Sequence, residues 1–192
     1  MIAPLKPGVT LAGLDGPVIE TERLILRPFR DADRQPFAAM NADPRVGDWL
    51  GGTMDRTQSD ELIERINARA ALNGYDYMVA ERKSDGRFVG MIGLRKLDEP
   101  PAGPCIEMGW RLSPDAQGQG LATEGAAGTL AWGFANIDTP EIIAFTAHSN
   151  LRSQAVMQRI GMALAPERAF LHPALAADHP LRPHVVFVAK RA

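Results

Sequence analysis

Gly118 and Gly120, inside the run Gln117-Gly118-Gln119-Gly120-Leu121-Ala122, stand between a strand-like segment and a long helical pattern. That junction constrains the architecture more than any other part of the chain. Ala127, Leu130, Ala131 and Phe134 recur behind it at helical spacing, which predicts an amphipathic helix opening at the glycines. A helix N-terminus leaves backbone N–H groups unpaired and carries the positive end of the helix dipole, and both favour an anion. Lacking Cβ atoms, Gly118 and Gly120 let a ligand approach the main chain. Local sequence alone is equally compatible with a plain helix-entry turn. A dinucleotide fingerprint would need a third small residue at position 123, which is Thr, and a leading βαβ unit. A phosphate loop of the Walker type would need Lys after the Gly120-to-Gly125 gap, where Ala126 stands.

The elements around this turn read as one mixed α+β domain. A strand is expected over Glu22 to Arg27, then a helix from about Asp31 to Met40, with Pro36 near its first turn. Asp43-Pro44 and Gly51-Gly52 are breaks, and a helix from about Asp55 to Leu72 ends at Gly74. Strands Asp76 to Arg82 and Phe88 to Leu94 flank the hairpin signal Asp85-Gly86. A loop with Pro100, Pro101, Gly103 and Pro104 leads to a strand over Cys105 to Leu112, and the glycine-opened helix runs to about Asn136. Strand Ile142 to Thr146, a helix outlined by Leu151, Ala155, Val156 and Ile160 and closed by Gly161, and a final strand Val185 to Val188 complete the pattern. Residues 1–19, broken by Pro4, Pro7, Gly8, Gly13, Gly16 and Pro17, read as a loose arm before a domain spanning residues 20–192.

A 192-residue chain with 45% hydrophobic residues can bury a sizeable core. Its net charge of −2 and lack of a basic run offer no electrostatic footprint for nucleic acid. A single thiol, Cys105, fits a reducing compartment; no apolar stretch is long enough to span a bilayer, and the broken N-terminus does not read as a secretory signal. Cytoplasm is the expected location. His148, His172, His179 and His184 have no metal-ligand spacing, so no metal is expected.

Gln117, Gly120 and Ala122 fill the pattern Gln/Arg-x-x-Gly-x-Gly/Ala, Thr21 to Pro28 reads TERLILRP, and Asn150-Leu151-Arg152-Ser153 opens a segment ending Arg159-Ile160-Gly161-Met162. In these three stretches, taken in order, the chain resembles the GNAT acyl-CoA N-acetyltransferases, closest to the RimJ/RimL-like branch, over about residues 20 to 190. The resemblance implies a central, mostly antiparallel twisted sheet of six to seven strands splayed at the cofactor cleft and flanked by about four helices. It implies acetyl-CoA as co-substrate, its pyrophosphate on the backbone of Gln117, Gly118, Gln119, Gly120, Leu121, Ala122 and Thr123. The pantetheine arm would lie between Cys105 to Leu112, past Leu112, and Ile142 to Thr146. Asn150 is assigned to cofactor contacts, although Asn before a helix is also an ordinary N-cap. Ser153 is assigned to the neighbourhood of the CoA sulfur. Many relatives carry a tyrosine on this helix as the acid for the thiolate. Leu151 to Ile160 holds none, so Ser153 or solvent takes that role.

Glu107 lies inside an otherwise apolar strand, where a carboxylate is unfavourable unless its face opens on a cleft. It reads either as the base that takes a proton from the acceptor ammonium or as a structural ion pair with a partner such as Arg95. A backbone N–H near Met108 or Gly109 is expected to face the oxyanion. Trp49, Trp110 and His184 are candidates for the acceptor pocket. The expected reaction is direct transfer to a primary amine, a protein N-terminal α-amine or a small molecule, by a monomer or homodimer. The rival readings are a catalytically silent acyl-CoA-binding or sensing domain and, less favoured, a dinucleotide-binding domain.

Overall fold

Near-continuous apolar runs, buried on both faces, build the long strands of the sheet, and the computed structural model describes residues 4–9, 16–99, 101 and 103–191. The strands are β1 (Ile19–Glu20), β2 (Leu24–Arg27), β3 (Tyr77–Arg82), β4 (Arg87–Leu97), β5 (Cys105–Leu112), β6 (Glu141–Ala147), β7 (Ala163–Leu164), β8 (Phe170–Leu171) and β9 (Pro183–Lys190). The α-helices are α1 (Arg34–Ala42), α2 (Pro44–Gly47), α3 (Arg56–Asn73), α4 (Leu121–Asn136) and α5 (Leu151–Arg159). Strand order is β1-β2-β3-β4-β5-β6-β9-β7, with β8 also on β9. Every pairing is antiparallel except β5 with β6.

The described residues thus hold nine strands and five α-helices, against six to seven and about four expected. The surplus lies in β1, β7 and β8, each two residues long and too short to show alternation, and in α2. Asp43-Pro44, read as a break, both ends α1 and starts α2: the Asp43 side chain accepts from the Arg45 N–H and Pro44 takes the first helical position. The boundaries of α3 follow their local signals, since Asp55 and Gln58 form a capping box and Gly74 closes the helix at φ +81°.

Helix α4 departs from its expected face. Ala127 and Ala131 are exposed, and the buried positions are Leu121, Gly125, Ala126, Thr129 and Gly133. A Cβ on Gly125 would lie 2.5 Å from Ile92 Cδ1, and one on Gly133 would lie 2.6 Å from Leu94 Cδ1. Small residues therefore let the helix sit against the sheet, and the larger apolar ones, Leu130 and Phe134, only flank the contact. On the other sheet face α1 and α3 pack Phe37, Ile63 and Ile66 against Val79 and Met91.

The described part of the N-terminal arm is anchored, contrary to the loose arm expected. Leu5 bridges Ile137, and Lys6 Nζ donates to the carbonyls of Phe134 (2.9 Å) and Ala135 (2.8 Å), neutralising the C-terminal end of α4. Gly13 of the arm and Pro100 of the proline loop lie outside the described residues.

Candidate active site

Strands β5 and β6 run parallel and share a single pair, Glu107 with Ile143, before they part. A cleft of about 1650 Å³ opens there, well above the ~300–1,000 Å³ of ordinary small-ligand pockets. It is bordered by the α4 N-terminus, β5, β6, α5 and the α2–α3 connection, so one continuous space has room for two reactants.

At one end the glycine turn has the geometry its sequence predicts. Gly118 (φ +75°) and Gly120 (φ +77°) are left-handed, and a Cβ on Gly118 would meet no atom within 4 Å, so the glycine keeps the space above the turn clear. The first α4 amide to reach a helical carbonyl is that of Glu124, on Gly120 O at 3.0 Å. The amides of Leu121, Ala122 and Thr123 come before it, aimed out of the helix end, and all three residues line the cleft. This arrangement fits a diphosphate. Gln117, Gly118 and Gly120 also line it, whereas Gln119 does not: its Nε2 donates to Asp115 O at 2.7 Å. Gln117 is turned back as well, donating to Leu112 O at 3.1 Å. Its side chain ties the end of β5 to the turn as a brace, and the ligand contact expected of Gln117 is left to its backbone.

Arg23 belongs to this end and escaped the sequence reading, because nothing local connects position 23 to position 120. Its Nη1 donates to Gln119 O (2.9 Å), its Nε pairs with Glu124 (2.6 Å), and its Nη2 would lie 3.5 Å from a Cβ on Gly120. Glu124 also accepts from the Thr21 hydroxyl at 2.6 Å. Burial would raise the Glu124 carboxyl, but these bonds prevail and hold it below its ordinary value.

The middle of the cleft is governed by the phase of β5. Ser113 N–H donates to Val89 O at 3.0 Å, and the β4–β5 register is unbroken from Gly90↔Leu112 to Leu97↔Cys105. Alternation then turns the amide of Gly109 toward β4 and those of Met108 and Trp110 toward β6 and the splay. Of the two residues expected to offer an oxyanion donor, Gly109 is therefore spent on the β4 ladder and Met108 faces Ile143, the partner of Glu107 in the one β5–β6 pair, which leaves Trp110 as the amide that opens on the splay. Asn150 accepts from the Ser153 N–H at 3.1 Å, so it is the N-cap of α5 and also borders the cleft. Ser153 Oγ accepts from Trp110 Nε1 at 3.1 Å, which leaves its own proton free to donate. That bond moves Trp110 from the acceptor pocket, where the sequence placed it, to the cofactor side. Even-numbered β5 residues face α4 and α5, whereas Glu107, Gly109 and Arg111 face the other way.

Glu107 makes the ion pair that was one of its two expected roles. Its Oε2 accepts from the Tyr77 hydroxyl (2.9 Å) and from Arg95 Nε (2.9 Å) and Nη2 (2.6 Å). Among the described residues no donor reaches Oε1. Burial raises the Glu107 carboxyl above its ordinary value despite the pull of Arg95 and Tyr77. Burial, then the Glu107 charge, keep the Tyr77 phenol protonated well above its usual range, so it remains a donor. Tyr77 went unnoticed because an aromatic at a strand start looks like core.

At the far end of the cleft from the glycine turn, Trp49, 41% exposed, and His184 both belong to its lining. His184 stacks on Phe170 (5.2 Å between ring centres) and lies 5.0 Å from His172, a second cleft histidine absent from the sequence-based site. Burial holds the His184 imidazole below its ordinary value. Cys105 is buried, its thiol pushed up to about 12 by burial. No helix of the described residues is long and apolar enough to cross a membrane.

Residues 23–163 match the Acetyltransferase (GNAT) domain family. YnaD of Bacillus subtilis, described as an uncharacterized N-acetyltransferase, is 26% identical over 144 residues, covering 75% of this chain and 81% of YnaD. Among solved structures, an acetyltransferase from Agrobacterium tumefaciens superposes with a TM-score of 0.74 at 24% identity over 97% of this chain and 99% of that one. A spermidine N-acetyltransferase from Vibrio cholerae, in complex with CoA and spermine, gives 0.69 at 16% identity over 88% and 95%. With the family match spanning most of the sequence and the splayed strands meeting a glycine-opened helix, the chain belongs to the GNAT acetyltransferase family and is an acyltransferase enzyme.

Proposed function

We propose that the enzyme moves an acetyl group from acetyl-CoA directly to a primary amine, peptide N-terminus or small molecule, with both reactants bound in the cleft. The observation that carries this reading is the continuity of that cleft. It joins the outward amides of Leu121 to Thr123 to the unoccupied side of the Glu107 carboxylate through the gap between β5 and β6. The α4 amides, with Arg23 beside them, hold the diphosphate; amides that already point at an anion need little reorganisation. The outward β5 amide of Trp110 polarises the thioester carbonyl. Glu107 Oε1 takes a proton from the acceptor ammonium through water, the freed amine attacks the carbonyl carbon, the C–S bond breaks, and the second proton shed by the nitrogen reaches the thiolate through Ser153 or solvent. Arg95 and Tyr77 fix the other oxygen and so aim the carboxylate. The buried, protonated Cys105 thiol supports transfer without an acyl-cysteine stage.

Glu107→Gln keeps the shape and removes the base. Release of CoA thiol with a panel of amines is expected to fall about a hundredfold or more in kcat/KM, with acetyl-CoA affinity by calorimetry unchanged. Full activity in this variant would sink the assignment of the base. An absence of thiol release with every amine for the unsubstituted enzyme would sink the amine acceptor.

A further inference from the structure

Arg111 follows Glu107 by four residues on the same face of β5, with Gly109 between them, and it lines the acceptor side of the cleft. Other charges on that side are matched: Arg95 meets Glu107 at 2.6 Å, and Arg45 meets Asp43 at 2.6 Å. The described partners of Arg111 are neutral. Its Nη1 donates to Asn41 Oδ1 and lies 4.0 Å from Met54 Sδ. Asn41 is itself buried and donates to the buried hydroxyl of Ser59 at 3.1 Å, so α1 and α3 brace one corner of the guanidinium without neutralising it.

Such a position is costly for a cation unless something else meets its charge. The cost is visible in the side chain's own acidity: burial pushes Arg111 down to about 10, where a carboxylate partner would push it up. The Nε and Nη2 nitrogens take no part in the Asn41 bond and are not among the sealed, partnerless polar atoms. They form the edge of the guanidinium that grips a carboxylate with two parallel bonds. Between Arg111 and Glu107 the floor carries no side chain of its own, since Gly109 has none, and the Tyr77 hydroxyl covers it, 2.8 Å from where a Cβ would be. Four strand residues put the two Cα atoms about 13 Å apart, so an amine held at Glu107 and an anion held at Arg111 fit within one small molecule or one short peptide end.

We propose that Arg111 binds a carboxylate carried by the acceptor, making the substrate an amine that bears an acid group instead of a polyamine. This rests on the acetyl-transfer reading above. The carboxylate has two possible sources, the α-carboxyl of a free amino acid or the side chain of an acidic residue near a peptide N-terminus. Both present the same group to the guanidinium fork, and a polycation would be repelled by it.

The test compares matched acceptors in the thiol-release assay: free amino acids against their C-terminal amides, peptides with Asp or Glu at the second position against Asn or Gln, and spermidine. For whichever acid-bearing class is used, kcat/KM is expected to exceed that of its neutral partner by about a hundredfold, chiefly through KM, with spermidine poorest. Arg111→Gln should erase that preference while leaving acetyl-CoA affinity by calorimetry and the weak turnover of neutral acceptors in place. Arg111→Lys, which keeps charge and loses the fork, should fall between. A short carboxylate without an amine, hexanoate, should compete with the acceptor in the unsubstituted enzyme and not in Arg111→Gln, a readout independent of that variant's folding. Equal use of acid and neutral acceptors, or a preference for spermidine, overturns the role of Arg111 and leaves acetyl transfer standing. Failure of every amine overturns both.

Discussion

Tyr77→Phe removes one hydroxyl and no other atom, and its effect follows from the Glu107 network. The phenol donates to Glu107 Oε2 at 2.9 Å. A hydrogen bond to an ionised carboxylate contributes about 1.5–3 kcal/mol, and about 1.4 kcal/mol corresponds to one pKa unit. Losing it disfavours the charged form, so a carboxyl already raised by burial should rise by about one to two units more. The base works only when ionised. Activity is therefore lost as pH falls through this pKa, and the acid limb of kcat/KM should move to higher pH by the same one to two units. The limb set by the acceptor amine is common to both proteins, so the difference between their profiles isolates Glu107.

The same shift has a signature in stability. Glu107 titrates in the folded protein above its unfolded value of about 4.3, so its contribution is fully present below that value and is lost as pH rises through the folded pKa. Tyr77→Phe enlarges the loss, and its stability deficit by urea unfolding should widen as pH rises from the unfolded carboxyl value through the range in which the folded carboxyl ionises. Thiol release at subsaturating amine across this range gives the kinetic half. An acid limb that stays in place, in a variant that folds and binds acetyl-CoA, would show that Glu107 is not the titrating base.

Gly120→Asp sets a charge beside the diphosphate site while keeping a residue type that tolerates a left-handed backbone, here φ +77°. At about 5 Å and an effective dielectric of about 20, repulsion is about 3 kcal/mol, and Arg23 Nη2 beside the new side chain offsets part of it. Calorimetry should read acetyl-CoA affinity weakened about tenfold to a hundredfold; unchanged affinity would refute the site. Cys105→Ala should leave turnover near that of the unsubstituted enzyme, because a thiol pushed to about 12 supplies no nucleophile at neutral pH. Abolished turnover with an intact circular dichroism spectrum would refute direct transfer.

Local signals marked what depends on neighbouring residues. The glycine turn at Gly118 and Gly120, the Asp85-Gly86 hairpin, the Gly74 helix end and the Asn150 cap all answer to backbone conformations that a few adjacent residues impose. Glu107 was legible for a different reason, since a lone carboxylate in an apolar strand requires compensation wherever the strand is buried. The same test applied to Arg111 would have exposed it, for it breaks the apolar run of β5 on the same face.

Tertiary structure decided which polar groups are already spent. From sequence, Trp110 looked like pocket lining and Gly109 like an oxyanion donor. Ser153 Oγ and the β4 ladder claim them instead, and the side chains of Gln117 and Gln119 are spent on Leu112 O and Asp115 O. Conversely, Arg23 reached the glycine turn, and Tyr77 reached Glu107, across gaps of tens of residues that no periodicity spans. Sequence by itself determined the turn that can hold a diphosphate and the carboxylate that can take a proton, because each is written in one strand or one turn. The family resemblance implied that β5 and β6 splay; only the fold decided that they share a single pair at Glu107, which joins the two into one cleft and leaves the Arg111 cation facing it unmatched. Side-chain hydrogen bonds and charges act over a few ångströms in space, and that proximity exists only once the strands are in register.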